Sequence, residues 1–136
     1  MARAYTVGTV ALALAAPASW VDNILSHHRV SGVLQKRQGV SRKVTLEGLL
    51  QLAIALNLIR ELEMPAAAAI HLSTTLARNG GRYDSHAGIT VSVNLEELRA
   101  DLETRLAQAV EIAAVPRRGR PPRPGTSSPN KTGRLD

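Results

Sequence analysis

The sequence predicts a mainly α fold with a small β element, and three observations predict it. Ala and Leu are in excess and Phe is absent from the 136 residues, so Leu, Ile, Val and Ala must build the core, with Trp20, Tyr5 and Tyr83 the only aromatics. Ala and Leu favour helix, and apolar residues recur at helical spacings of three and four along most of the chain. Two stretches depart from that period, residues 29–45 and 89–93, and both are rich in Val. About 115 residues precede an end rich in Pro, Gly, Ser and Arg, which leaves room for one modest core.

Tyr5-Thr6-Val7 reads as a short extended lead-in, with Thr6 as N-cap of a first helix over Val7 to Leu14. Val7, Val10, Ala11 and Leu14 fall on one face of it. Ala15 to Ala18 is a turn, because Pro17 disfavours helix at the residue before it and suits the first turn of the next. That second helix runs to about His27 and buries Trp20, Val21, Ile24 and Leu25. Its other face keeps Ser19, Asn23, Ser26 and His27, groups of the kind that reach base edges. Two short helices joined by a tight turn are a helix-turn-helix. Arg3, the apolar run to Ala16 and the small residues Ala16-Pro17-Ala18-Ser19 also imitate a secretory signal, but one charge precedes the run and Gly8-Thr9 interrupts it. A structural helix is the preferred reading. No segment reaches the roughly 18 apolar residues of a membrane span.

Residues 29–45 set Val30, Val33, Val40 and Val44 among basic and turn residues, which predicts a hairpin with Gly39 near its tip. Thr45 then caps a long helix to about Glu63. Leu46, Leu49, Leu50, Ala53 and Leu56 mark one face, and Leu52, Ile54, Leu58 and Leu62 widen it far beyond one stripe, so this helix is the expected centre of the fold. Pro65 opens another helix to about Arg78, stopped by Asn79-Gly80-Gly81. Residues 82–88 read as a loop and Ile89 to Val93 as a strand with one buried face. Asn94 caps the last helix, with Glu97 placed for a capping box. Leu95, Leu98, Leu102, Leu106 and Ala109 form a narrow seam along it, the pattern of a helix that pairs with a second copy.

Charge is segregated. Residues 27–45 hold Arg29, Lys36, Arg37, Arg42 and Lys43 and no acid, for +5. Residues 46–115 carry five Arg against nine acids, for −4, and residues 116–136 carry six bases against Asp136, for +5. Arg3 and Asp22 cancel, which leaves the overall +6. Two basic blocks flanking an acidic body point to a nucleic-acid partner, where net charge alone would serve equally for anionic lipid.

The order of parts from Tyr5 to Arg78 resembles the winged-helix DNA-binding domain of the MerR family of bacterial regulators. Tyr5-Thr6-Val7-Gly8 is similar to the family's opening Tyr-Thr-Ile-Gly, and Gly32-Val33 to the Gly-Leu pair before its wing. Val44-Thr45-Leu46-Glu47-Gly48-Leu49 resembles the start of the family's third helix, and Leu58-Ile59-Arg60-Glu61-Leu62-Glu63-Met64 its Leu-Arg-Glu-Leu-Gly-Phe ending. The family's usual Arg-Tyr-Tyr is replaced by Asp22-Asn23-Ile24, so aromatic phosphate contacts do not carry over. Position does: Ser19, Asn23, Ser26 and His27 would read bases, while Arg29, Lys36, Arg37, Arg42 and Lys43 would neutralise phosphates. The resemblance implies a winged helix-turn-helix in residues 1–78; the seam adds a strand and dimerisation helix in 79–115, and composition a disordered basic tail in 116–136. In that tail Arg118-Gly119-Arg120-Pro121 resembles an AT-hook, whose arginines enter the narrow minor groove of A·T-rich DNA. A plain solubilising Pro/Arg linker fits the same residues.

No cofactor, metal or enzyme chemistry is expected. Cys is absent, His27 and His28 are adjacent and so point apart on a helix, and His71 and His86 are distant in sequence. No nucleophile grouping or phosphate loop stands out. The expectation is a cytoplasmic, nucleoid-associated regulator that binds double-stranded DNA as a homodimer, with no membrane contact and no sizeable effector pocket. An antitoxin or adaptor whose seam binds another protein, a small architectural DNA-binding protein, and a secreted helical protein starting at Ser19 remain open beside it.

Overall fold

The computed structural model describes residues 3–35 and 42–113. Five helices and two small antiparallel sheets make up the described chain, so the mainly α expectation holds. In order they are β1 (Ala4–Thr6), α1 (Val7–Leu14), α2 (Ala18–His27), β2 (Val33–Leu34), β3 (Lys43–Thr45), α3 (Leu46–Leu62), α4 (Ala66–Arg78), β4 (Arg82–Asp84), β5 (Thr90–Ser92) and α5 (Leu95–Ala113).

α3 is the central element. Gly48 to Leu56 is buried without interruption, and Leu58 beyond it, because neighbours cover the helix on all sides. α4 packs along it most extensively. Thr45 starts it: its hydroxyl accepts from the Gly48 N–H at 3.3 Å, a cap of the kind worth about 1 kcal/mol. β3 runs straight into that cap and lies in the middle of a three-stranded sheet, with β1 on one side and β2 on the other. Tyr5 and Val33 both stand opposite Val44, which is fully buried.

α1 has only eight residues and would not persist alone. Thr9, Val10, Ala11, Ala13 and Leu14 are all buried, and at 100° per residue they span an arc of roughly 200°. One neighbour cannot cover so wide an arc. α2 takes part of it, and α5 packs against α1 more extensively than against any other element.

This overturns the expected use of the α5 seam. Leu102, Leu106 and Ala109 are buried in the chain's own core, and Leu95 and Leu98 pack half-buried at its edge, so these residues offer no free stripe to a second copy. The physical reason lies in α1, whose small Ala11 and Ala13 admit a close helix and whose arc needs one. A covering helix in the same chain is always present at high local concentration. The division between residues 78 and 79 is therefore one of sequence order, since α1 and α5 share a core. At the head of α5, Asn94 Oδ1 accepts from the Glu97 N–H at 3.0 Å, as the capping pattern predicts. On its outer side Arg99 pairs with Glu47 of α3 at 3.1 Å.

The loop expected at 82–88 contains a strand. β4 pairs with β5 in the register Arg82 to Ser92, Tyr83 to Val91 and Asp84 to Thr90. All three β4 residues are exposed, so no alternation of apolar and polar residues announces it. Polar contacts hold it instead: Arg82 Nε donates to Asp84 at 3.0 Å and the Thr90 hydroxyl donates to the same carboxylate at 2.8 Å. Gly81 joins the hairpin to α5. Its carbonyl accepts from the Val93 N–H at 2.7 Å, and a Cβ there would collide with the Val93 carbonyl oxygen.

Leu102→Ala should destabilise the protein by about 3 kcal/mol, the ordinary cost of emptying a buried leucine site. Urea denaturation at two protein concentrations should give the same midpoint shift, whereas a seam between copies would make it concentration-dependent. A second expectation concerns acid. The Arg82 and Thr90 hydrogen bonds hold the Asp84 carboxyl below its ordinary range. A carboxyl lowered in the folded state stabilises above its unfolded pKa and loses that contribution as pH falls through the folded one. The protection of β4 and β5 amides relative to their intrinsic exchange rates should therefore fall below about pH 4 before that of the α3 amides.

Candidate nucleic-acid interface

α1 ends in a Schellman motif. The Ala16 N–H donates to the Ala11 carbonyl at 3.0 Å and the Ala15 N–H to the Leu12 carbonyl at 3.2 Å, with Ala15 left-handed at φ 55°. The carbonyl of that residue accepts from Arg60 Nη2 of α3 at 3.0 Å. The turn is thereby fastened to the central helix. Pro17 begins α2, accepting from the Trp20 N–H at 3.0 Å, and the chain has bent by 114° between the two helices.

α2 is amphipathic as its sequence requires. Val21 and Ile24 are buried, and Trp20 and Leu25 are half-buried. Ser19, Asn23, Ser26 and His27 are all exposed, and their spacings of three and four put them on one face. His27 Nδ1 lies 2.9 Å from the Asn23 carbonyl, which steadies the ring over the last turn. Asp22 shares this face, a residue to which the sequence assigned no role.

Beyond α2 the chain leaves helix at His28, and Arg29 is exposed on the extended segment that leads to β2. Ser31 and Gly32 pack on the start of α3. The Gly32 carbonyl accepts from both the Thr45 N–H at 2.8 Å and the Thr45 hydroxyl at 2.9 Å. Gly32 has φ 82°, and a Cβ there would strike Thr45 Oγ1 and come within 2.6 Å of the Gly48 nitrogen. A Cβ on Gly48 would in turn meet the Ser31 carbonyl at 3.0 Å. Two glycines thus allow two backbones to touch, and that contact anchors the β2–β3 hairpin beside α2.

On the hairpin, Lys43 is exposed and Arg42 reaches α2, with Nη1 3.8 Å from Asp22 Oδ1. The Arg42–Asp22 contact therefore sets Arg42 beside the α2 face that carries Ser19, Asn23, Ser26 and His27, and Lys43 is exposed on the strand that follows. Lys36 and Arg37 lie outside the described residues, as do Arg118, Gly119 and Arg120 of the tail. Gly39, the expected hairpin tip, falls there too.

Two open hollows lie around β1, of about 500 Å³ and 640 Å³, and share Arg3, Tyr5 and Leu46. One extends along Leu106, Ala107 and Val110 of α5, the other over Gly32 and Thr45. The Arg3 guanidinium sits 5.6 Å from the Tyr5 ring centre between them. Among the described residues no three His, Asp or Glu side chains gather as metal ligands, and no single helix is long and apolar enough to cross a membrane.

No protein-family model matches the chain, and no curated protein or solved structure matches it.

The glycine contact yields a paired test. Gly32→Ala combines a left-handed φ with a backbone collision and should cost about 2–4 kcal/mol. Gly80→Ala has a similar φ of 66° but nothing within 4 Å of the new Cβ, so it should cost only about 1–2 kcal/mol. Thermal denaturation of the two variants separates close packing from backbone conformation.

Proposed function

We propose that the protein is a sequence-specific regulator of transcription that reads double-stranded DNA through a winged helix-turn-helix. The observation that carries this reading is the exposed polar face of α2, Ser19, Asn23, Ser26 and His27, lying beside a basic hairpin that an ion pair ties to it. α2 enters the major groove with that face toward the base edges. Asn23 has the paired donor and acceptor that match an adenine edge, and Ser19, Ser26 and His27 add single hydrogen bonds. Arg29, Arg42 and Lys43 neutralise phosphates, which fixes register without reading sequence.

The order β1, α1, α2, hairpin, α3 and α4 supports the MerR-like reading, and so does the tight bend between α1 and α2. Action at the nucleoid follows from the same partner. With the α5 stripe spent inside the core, one chain supplies one reading helix and one wing, enough for one half-site. A homodimer pairs through surface outside that stripe. Exposed apolar side chains such as Leu12 and Leu62 are available to it.

Selection of random duplexes by the full-length chain, followed by sequencing at two salt concentrations, tests the proposal. A recovered motif supports it, two-fold symmetric if two copies bind and asymmetric if one does. Salt-sensitive binding with no motif would replace it with a basic architectural protein. The Arg42→Ala, Lys43→Ala double variant should flatten the dependence of log affinity on log salt by about one to two units. An unchanged slope would remove the wing from the interface.

A further inference from the structure

Asp22 is the only acid in the first 45 residues, in a stretch that otherwise carries six Lys and Arg. It sits on the exposed face of α2, three residues after Ser19 and four before Ser26, the spacings that make helix neighbours. On a surface that must approach phosphates, a carboxylate is repelled unless something else compensates. Arg42 supplies part of the compensation from 3.8 Å. The arginine is the more covered partner, 26% exposed against 58% for the aspartate side chain. The aspartate side chain is therefore the more accessible partner of the pair.

We infer that Asp22 is a specificity-determining residue, selecting a cytosine in the half-site by accepting a hydrogen bond from its N4 amino group. The inference rests on the DNA-binding reading above. An ionised carboxylate only accepts. Guanine and thymine present acceptors on their major-groove edges, and adenine sets N7 beside its N6 amino group, so each turns a lone pair toward the carboxylate. Cytosine alone offers an amino donor with no acceptor beside it on its own edge. Arg42 holds the carboxylate toward the groove and lowers the repulsion from the flanking phosphates. Asp22 thus rejects three bases as firmly as it admits the fourth, which is how a like-charged group earns a place in such an interface.

The test repeats the duplex selection with the full-length wild type, Asp22→Ala and Asp22→Asn, with circular dichroism as the check on folding. Asp22 is exposed, so both variants should keep the wild-type spectrum. The wild type should return one fixed cytosine in its half-site. Asp22→Ala should lower the preference at that position alone by about 5- to 100-fold, and Asp22→Asn should move it toward adenine. A wild-type motif that both variants leave unchanged, or one with no fixed cytosine, overturns the inference while DNA binding stands. Failure of the wild type to select any sequence overturns the reading beneath it, and the inference with it.

Discussion

One hydroxyl holds the described structure in register. The side chain of Thr45 accepts from the Gly48 N–H, which starts α3, and donates to the Gly32 carbonyl, which anchors the chain leading into β2. Thr45 also ends β3, the middle strand of the sheet that includes β1. Helix start, strand order and hairpin position therefore meet at one residue. The geometry works only because Gly32 and Gly48 let backbone approach backbone. With a side chain at either, the hairpin would lift from α3, and Arg42 would leave Asp22.

The rest of the core is built without phenylalanine, with the Tyr5 and Trp20 rings packed only at its edge. Leucines and alanines fill it, and α4 on α3 and α5 on α1 are its two most extensive helix pairings. Gln51 of α3 and Ser73 of α4 are buried polar residues. The Ser73 hydroxyl donates back to the Ile70 carbonyl within α4 at 2.7 Å, and the Thr74 hydroxyl lies 3.1 Å from that same carbonyl and 3.3 Å from Gln51 Oε1 of α3. Sliding α4 along α3 by one turn would break the contact with Gln51, and a buried polar group that loses a partner is costly. Arg60 extends the same order outward. By binding the Ala15 carbonyl it lets α3 hold the bend between α1 and α2.

Much of this fold was legible because its boundaries are chemical. Thr6, Thr45 and Asn94 cap the helices expected after them, and Pro17, Pro65 and Gly80-Gly81 stop or start chain where their backbones demand it. β4 was not legible, because Arg82-Tyr83-Asp84 has no buried face and is held by side-chain pairs that leave no periodic trace. The α5 seam was legible as a seam but not as to its partner. A narrow apolar stripe says that some helix covers it, and the same stripe serves inside or between chains. The missing signal lay in α1, whose alternate residues Thr9, Ala11 and Ala13 carry burial past what α2 can cover. On the candidate interface, the exposed face of α2 followed from helix periodicity alone. Its ion pair to the hairpin did not, since Asp22 and Arg42 are twenty residues apart and are joined by the backbone contact of two glycines.

Trp20 gives this arrangement an optical consequence. It is the only tryptophan in the chain and stands half-buried on α2, one edge in the core and the other toward solvent. Indole emission shifts with the polarity around the ring, so the fluorescence of the whole protein is in effect a recording from one helix. Movement of α2 against α1, or the withdrawal of water from its outer side, alters the colour of that emission. The distant β4–β5 hairpin carries only Tyr83, which absorbs and emits at shorter wavelength. The chain thus carries its own intrinsic probe at the place where contact with a partner would first be felt.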